Sequence, residues 1–411
     1  MAEFRTLFFR SFLVNQPDLV RRVLKERPED FPKSDRIAEG LKPLLGEKSV
    51  FLTNGAEWKQ QRRIIDPAFE GGRLRDVFPA MCAAAASMSA RLERSEGAID
   101  VEREASYVAA DVIFRTLFSI PIEHDIAKAV FREFQTYQRT QPIVNIAALI
   151  PLPAWVPRLF RKSTRGAARR LRGLIADLVA QRAKEIDLGI APQDLATKIM
   201  TQQDPETGKR FTRDEMVDQV AIFFLAGHET SASALSWALY LLATHPDLQD
   251  QVAAEAKAVD FSHFSEISRL KLTRDVFRET LRLYPPVPMM VREATCPERF
   301  RDRDVPRGAQ IVISPWHLHR HSRLWDNPDG FDPMRWETDN GKSCMRNAFF
   351  PFSAGARVCT GAGFAMAEGV ILLAQIMKSF HVEAFDNDVP VPVAHLTVRS
   401  KSGIRLRFVR R

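Results

Sequence analysis

The longest apolar run of the chain has the helical period. Between Val217 and Ala243 nearly every face is apolar, which predicts a helix passing through the middle of the molecule rather than along its surface. Thr212 and Glu215 in FTRDEM have the spacing of a capping box, and His245-Pro246 supplies the stop. The roughly 32 residues between them would span ~48 Å. His228 and Glu229 at mid-length argue against a membrane-spanning role. From Ala56 to about Leu188 apolar residues recur at three- and four-residue spacing, again predicting helices. The interruption is QPIVNIAALIPLPAWVPRLF (141–160), whose four prolines mark an apolar loop, either packed between helices or set against something greasy.

Elsewhere the pattern is mixed. The start predicts short strands in RTLFF and SFLVN, a helix from Pro17, and a loop-rich stretch from Phe31 to Asn54 with a short helix near IAEGLKPLL. After Thr273, TRDVFRETLRLY reads as a helix ending at Pro285-Pro286. A hairpin follows in VPRGAQIVIS, turning at Pro306 and Gly308, then an irregular stretch from Pro315 to Phe352. A helix from about Gly363 to Phe380 and a closing hairpin through Ser402-Gly403 complete the chain. The fold class is mainly α with minor β. No repeat or linker divides the chain, so one domain over residues 1–411 is expected.

Composition sharpens this in three ways. The 28 Phe against 4 Tyr predict an interior rich in ring surface without hydroxyls. A net charge of +8 suits a basic face for an acidic protein partner or weak membrane attraction, and the lack of a Lys/Arg block excludes a nucleic-acid arm. Cys82, Cys296, Cys344 and Cys359 form neither C-x-x-C nor a disulfide framework, which points to a reducing, cytoplasmic setting. The start, MAEFRTLFFRSFLV, is broken by Arg5 and Arg10 and lacks both a signal core and the ~20 apolar residues of a span.

The candidate chemistry centres on PFSAGARVCTG (351–361). Cys359 precedes a predicted helix whose free N–H groups and dipole favour a thiolate. Gly355 and Gly361 permit positive φ and close approach of a flat ligand, and Arg357 offers a cation for a carboxylate on it. A thiolate on haem iron with Arg357 on a propionate covers all of these features. The competing reading is an inert buried cysteine.

Phe352, Gly355, Arg357, Cys359 and Gly361 match the fixed positions of the cysteine signature of the cytochrome P450 family, and the chain resembles that family from about residue 56 to 363. The resemblance implies a single large fold, a triangular helical prism with small sheets. It makes Cys359 the metal ligand of haem b. Glu279 and Arg282 in RETLRLYPP would be completed by Arg335 in FDPMRW as a buried structural trio holding the cysteine loop. In AGHET, Ala226 and Gly227 would leave room for the ring and dioxygen. Thr230 would open the helix locally and hold oxygen and its proton-donating water, and Glu229 would gate proton delivery. His228 reads as structural. Trp58, Arg62 and Arg292 would meet haem propionates, although Gln61 stands where the family often has His, and Ser353 and Ala356 where it often has Gly. The alternation His317, His319, His321 could face a metal, but His319-Arg320 matches a structural pair of the family.

The activity implied is insertion of one oxygen atom of O2 into a small apolar substrate: a terpenoid, steroid, fatty-acyl chain or aromatic. The pocket would be lined by the 33–52 and 141–160 loops, Phe223, Ala226, Val287 to Val291 and the region of Thr397. Electrons would come from NAD(P)H only indirectly, through a ferredoxin or flavodoxin with its reductase, docking on Lys59, Arg62, Arg63, Lys342 and Arg346. A monomer is expected. The rival readings are a haem-thiolate peroxygenase or isomerase, a non-catalytic haem sensor, and a nucleophilic Cys359 without haem.

Overall fold

The computed structural model describes residues 1–5, 9–70, 72–140, 160–385 and 388–411, with the backbone alone at 37 and 38. The long helix runs Arg213–Ala243 without a break. Its capping box is formed: the Glu215 N–H donates to Thr212 Oγ1 at 3.3 Å, and the Thr212 N–H donates to the Glu215 carboxylate at 3.0 Å. Being apolar on all sides, it is wrapped by the helices Val101–Phe118, Lys162–Asp187, Lys271–Leu283 and Ala362–Ser379. The closest approach is to Val101–Phe118, where a Cβ on Gly227 would collide with Ile113 Cδ1.

A four-stranded sheet stands beside this helical body, in the order Ala2–Arg5, Arg10–Val14, Gln310–Ile313, Met290–Glu293. Arg10–Val14 and Gln310–Ile313 are parallel, and the outer pairings are antiparallel. Phe12, Val14, Ile311 and Ile313 point down into a second core with Phe31, Phe300, Trp325 and Trp336. The expected ring-rich interior is present in both cores. Among the described residues the helix long and apolar enough to cross a membrane is Ala362–Ser379, and it lies packed against Arg73–Glu93 and Pro246–Lys257.

Several expected elements differ. The turn at Pro306 and Gly308 forms, with Gly308 at φ +81° and the Ala309 N–H donating to the Pro306 carbonyl at 3.1 Å. Its flanks do not pair as a hairpin. Arg303–Val305 pairs with Glu298–Phe300, whereas Ile311 and Ile313 are claimed by the second core. The tail behaves likewise. Val398–Ser400 pairs with Pro392–Ala394, and Arg405–Arg410 pairs with Phe380–Ala384 and Ile99–Asp100. In both cases the turn is local, and burial of side chains decides which edge each strand meets. The helix expected after Thr273 starts at Lys271, because the N–H groups of Leu272 and Thr273 donate to Glu255 of the preceding helix, each at 2.8 Å. The first strand is Ala2–Arg5, and residues 6–8 of RTLFF lie outside the described residues. The span from Pro315 to Phe352 holds short helices at Pro315–Leu318, Pro333–Glu337 and Asp339–Asn347. The 141–160 loop lies outside the described residues except Phe160.

Candidate active site

Cys359 sits between the single turn Gly355–Arg357 and the helix Ala362–Ser379. The loop is closed by its own backbone: the Cys359 N–H donates to the Phe352 carbonyl at 2.9 Å and the Val358 N–H to the Gly355 carbonyl at 3.0 Å. Gly355 has φ +68°, and a Cβ there would collide with the Leu24 carbonyl. Its close approach is therefore to the turn Arg22–Glu26, not to a ligand as the sequence suggested. At Gly361 a Cβ would meet no atom within 4 Å, so this face can lie along a flat group. Burial pushes the Cys359 thiol up, while the Gly361 N–H and the Arg62 cation pull it down. Cys359 is nevertheless solvent-exposed in this structure, so the sulfur is reachable from outside the loop, and a bound metal's charge is what would ionise it.

Two groups of residues hold this loop. Arg62 braces it directly, donating to the Val358 carbonyl at 2.9 Å and to both Asp66 oxygens at 2.7 and 2.9 Å; Thr360 donates to Asp66 at 3.1 Å. Farther out, the buried carboxylate of Glu279 receives Arg282 at 2.8 and 3.0 Å and Arg335 at 3.1 Å. Arg282 also donates to the His319 carbonyl at 2.9 Å, and His319 Nε2 accepts the Phe350 N–H at 2.9 Å, two residues before Phe352. Burial and the neighbouring Arg282 push His319 down to about 3, so its ring is a neutral acceptor. His317 is turned to Ser314 and His321 to the Arg323 N–H, and among the described residues no three metal-ligating side chains converge.

Next to the loop, cations crowd the buried Trp58 ring. Arg357 lies 4.8 Å, Arg62 5.7 Å and Lys33 5.8 Å from its centroid. Arg292 is buried nearby, reaching among the described residues only the Val291 carbonyl at 3.2 Å, and burial with Arg357 pushes it down to about 10. Arg357 donates to the Pro28 carbonyl at 2.6 Å, but its buried Nε has no partner among the described residues. Burial, then Arg357, Arg292 and Arg62, push the Lys33 ammonium down to about 6. Among the described residues no carboxylate ion-pairs with Lys33, Arg292 or Arg357. Such a cluster fits a ligand that brings two carboxylates of its own, as haem does. Lys33 was not legible in the sequence; its bridge to Arg292 and its backbone bonds to Asn54 place it. Gln61 is committed elsewhere, donating to the Lys48 carbonyl at 2.7 Å.

On the long helix, Thr230 Oγ1 donates to the Ala226 carbonyl at 2.6 Å, yet the helix is not opened as expected. Ala226 is exposed, whereas the small side of Gly227 is taken up by Ile113, so only Ala226 leaves room for a ligand. Glu229 is buried and held by Arg399, at 2.8 Å to each oxygen, and by the Gln138 amide. Sequence reasoning missed both partners, which come from distant segments. His228 is structural: it bonds Ser106 at 2.7 Å, stacks on Phe224, and burial pushes it down to about 4.

Of the cations expected to form a docking face, Lys59 pairs with Glu29 at 3.0 Å, Arg62 with Asp66, Arg63 with Asp204 at 2.6 Å, and Lys342 reaches Glu337 at 4.0 Å. Their charge is largely answered within the chain.

A thiol at the head of a core helix, a dicarboxylate-sized cation cluster and a polar midpoint on the long helix together define a haem-thiolate protein. The sequence model of the family "Cytochrome P450" matches residues 6–408. Cyclooctat-9-en-7-ol 5-monooxygenase of Streptomyces melanosporofaciens is 31% identical over 93% of this chain and 81% of its own length. Cytochrome P450 4A14 of Rattus norvegicus is 30% identical over 96% and 81%. The crystal structure of the cytochrome P450DA heme domain superposes with TM-score 0.84 at 24% identity, covering 100% of this chain and 90% of that one, which shows the shared fold. The chain belongs to the cytochrome P450 family. It is a haem-dependent monooxygenase that uses O2.

Proposed function

We propose that this enzyme inserts oxygen into a small apolar substrate, a terpenoid, steroid, fatty-acyl chain or aromatic, with electrons from a ferredoxin or flavodoxin and its reductase in the cytoplasm. The observation that carries the reading is the braced Cys359 loop beside the Lys33, Arg292 and Arg357 cluster. Bound haem supplies the O–O cleavage chemistry that a thiolate ligand favours. The chain's residues do the rest. Cys359 would be the ligand, and Arg62 keeps its loop in register. Lys33, Arg292 and Arg357 would take the two propionates. Thr230 presents a hydroxyl at the Ala226 turn, and Glu229 is the nearest buried acid along the helix. Val287 and Met289, expected in the pocket wall, are large exposed apolar side chains, as an apolar substrate requires. The printed names of relatives, a cyclooctat-9-en-7-ol 5-monooxygenase and a cytokinin hydroxylase, support hydroxylation of a small molecule. The four free cysteines support a reducing compartment.

One observation favours a second reading. Glu229 is locked by Arg399 and Gln138, which suits a peroxide-driven oxygenase or an isomerase that needs no proton relay. The deciding experiment screens a ligand library for low- to high-spin shifts, then analyses products with a surrogate ferredoxin system and, separately, with peroxide. Product with O2 and reductant supports the first reading. Product with peroxide alone supports the second, and binding without product under either supply overturns both in favour of a sensor.

A further inference from the structure

Two buried groups that neither hold the Cys359 loop nor join the cation cluster face each other between the helices of the site. Glu368 lies nine residues beyond Cys359 on the helix Ala362–Ser379 and is 1% exposed. Ser231, next to Thr230 on the long helix, is bonded through Oγ to Glu368 Oε2 at 2.6 Å. The second carboxyl oxygen, Oε1, is buried with no partner among the described residues. Beside it the backbone at Gly369 lets the Phe277 ring lie where a Cβ would collide, so hydrocarbon seals that side. Among the described residues no cation pairs with Glu368. A carboxylate with one donor and one orphan oxygen is unfavourable in such a setting, whereas the neutral acid accepts the Ser231 hydroxyl on Oε2 and carries its proton without leaving a buried charge. Burial pushes its pKa up to about 8, consistent with a neutral acid at pH 7.

We propose that Glu368 is a positioning residue: its hydrogen bond to Ser231 fixes the Ala226–Thr230 turn of the long helix against the helix that begins behind Cys359. The turn is then gripped from two sides, by Ile113 against Gly227 and by Glu368 on Ser231. Polar at one contact and apolar at the other, this grip sets the rotation of the helix about its axis, and so the direction in which the Thr230 hydroxyl points. The proposal rests on the haem-thiolate reading of the site.

The test compares Glu368→Gln, Glu368→Leu, Ser231→Ala and the Leu/Ala double variant in two arms. In the first, the unfolding midpoints of the haem-free proteins form a double-mutant cycle. The double variant should lose no more than the worse single variant, and full additivity overturns the direct link. In the second, the haem-loaded proteins are reduced under carbon monoxide and the C–O stretching band is recorded. Glu368→Leu and Ser231→Ala should shift or split the band and raise the share of electrons lost as peroxide about twofold or more, with substrate KM unchanged. Glu368→Gln, which keeps an oxygen to accept the Ser231 hydroxyl, should match the parent. A lowered midpoint with an unmoved band and unchanged peroxide loss means packing alone and overturns the proposal. So does a Gln variant that behaves like Leu. If the Leu variant fails to fold, Ser231→Ala carries both readouts. A parent protein lacking the carbon monoxide spectrum of a thiolate-ligated haem would refute the haem reading instead, leaving the haem-free cycle to judge Glu368.

Discussion

Ser353 shows how a single backbone angle is stored next to chemistry. It holds φ +62°, in the left-handed region, and its buried Oγ has no hydrogen-bond partner among the described residues. Ser353→Gly should therefore raise the urea unfolding midpoint by the equivalent of about 1 kcal/mol. Glu368 gives the second residue-scale prediction. Its folded pKa is raised to about 8 from an ordinary 4.5, so the unfolded state releases its proton first as pH rises. Stability contributed by the neutral acid is present below about 4.5 and is lost between there and about 8. Relative to Glu368→Gln, the parent should melt progressively lower across that window, by on the order of a few kcal/mol in all. Melting curves of both proteins from pH 5 to pH 8 check the sign; parallel curves would mean Glu368 is ionised throughout.

At the scale of elements, what matters is which distant segments hold the helices carrying the chemistry. Arg335 is only 4% exposed and ties the Pro333–Glu337 turn to the Lys271–Leu283 helix through Glu279. Removing one partner of a buried ion pair leaves a charge uncompensated, so Arg335→Ala should cost about 3–5 kcal/mol. Because the trio reaches Phe350 through His319, the same variant should retain haem poorly after gel filtration. Arg399 plays the equivalent part for the long helix. In Arg399→Gln the buried Glu229 carboxylate loses its ion-pair partner, which should cost about 3–5 kcal/mol and show as a lowered thermal midpoint. An unchanged midpoint would show that Glu229 has another counter-charge.

For the molecule as a whole, local signals and long-range ones divided cleanly. The long helix, its capping box and the cysteine helix were legible because periodicity, caps and prolines act within a few residues. Cys359, Arg357, Arg62 and the Glu279–Arg282–Arg335 trio were legible because their spacing matches a family pattern. Both hairpins were misread, because a turn determines only that the chain reverses, while the buried faces of Ile311, Ile313 and Leu406 decide which strand each meets. Lys33, Arg399, Gln138 and Ser231–Glu368 were illegible for a related reason. Each acquires its meaning from a partner dozens to hundreds of residues away, and nothing adjacent in the chain announces it. Gly355 and Gly227 were located correctly but for the wrong neighbour: backbone and Ile113 rather than a ligand.

That contact at Gly355 reaches further than its size suggests. The backbone beneath the sulfur's loop is Leu24, and the Arg357 guanidinium is tethered to the Pro28 carbonyl, so the segment 22–28 forms the floor on which the iron-binding strap rests. A methyl group at Gly355 would have to lift that floor, and Gly355→Ala should cost at least about 2 kcal/mol and loosen the prosthetic group, read as faster haem transfer to an acceptor globin. Changes made near Val23 or Leu24, far from any reacting atom, should be felt as altered colour before they are felt as altered substrate preference.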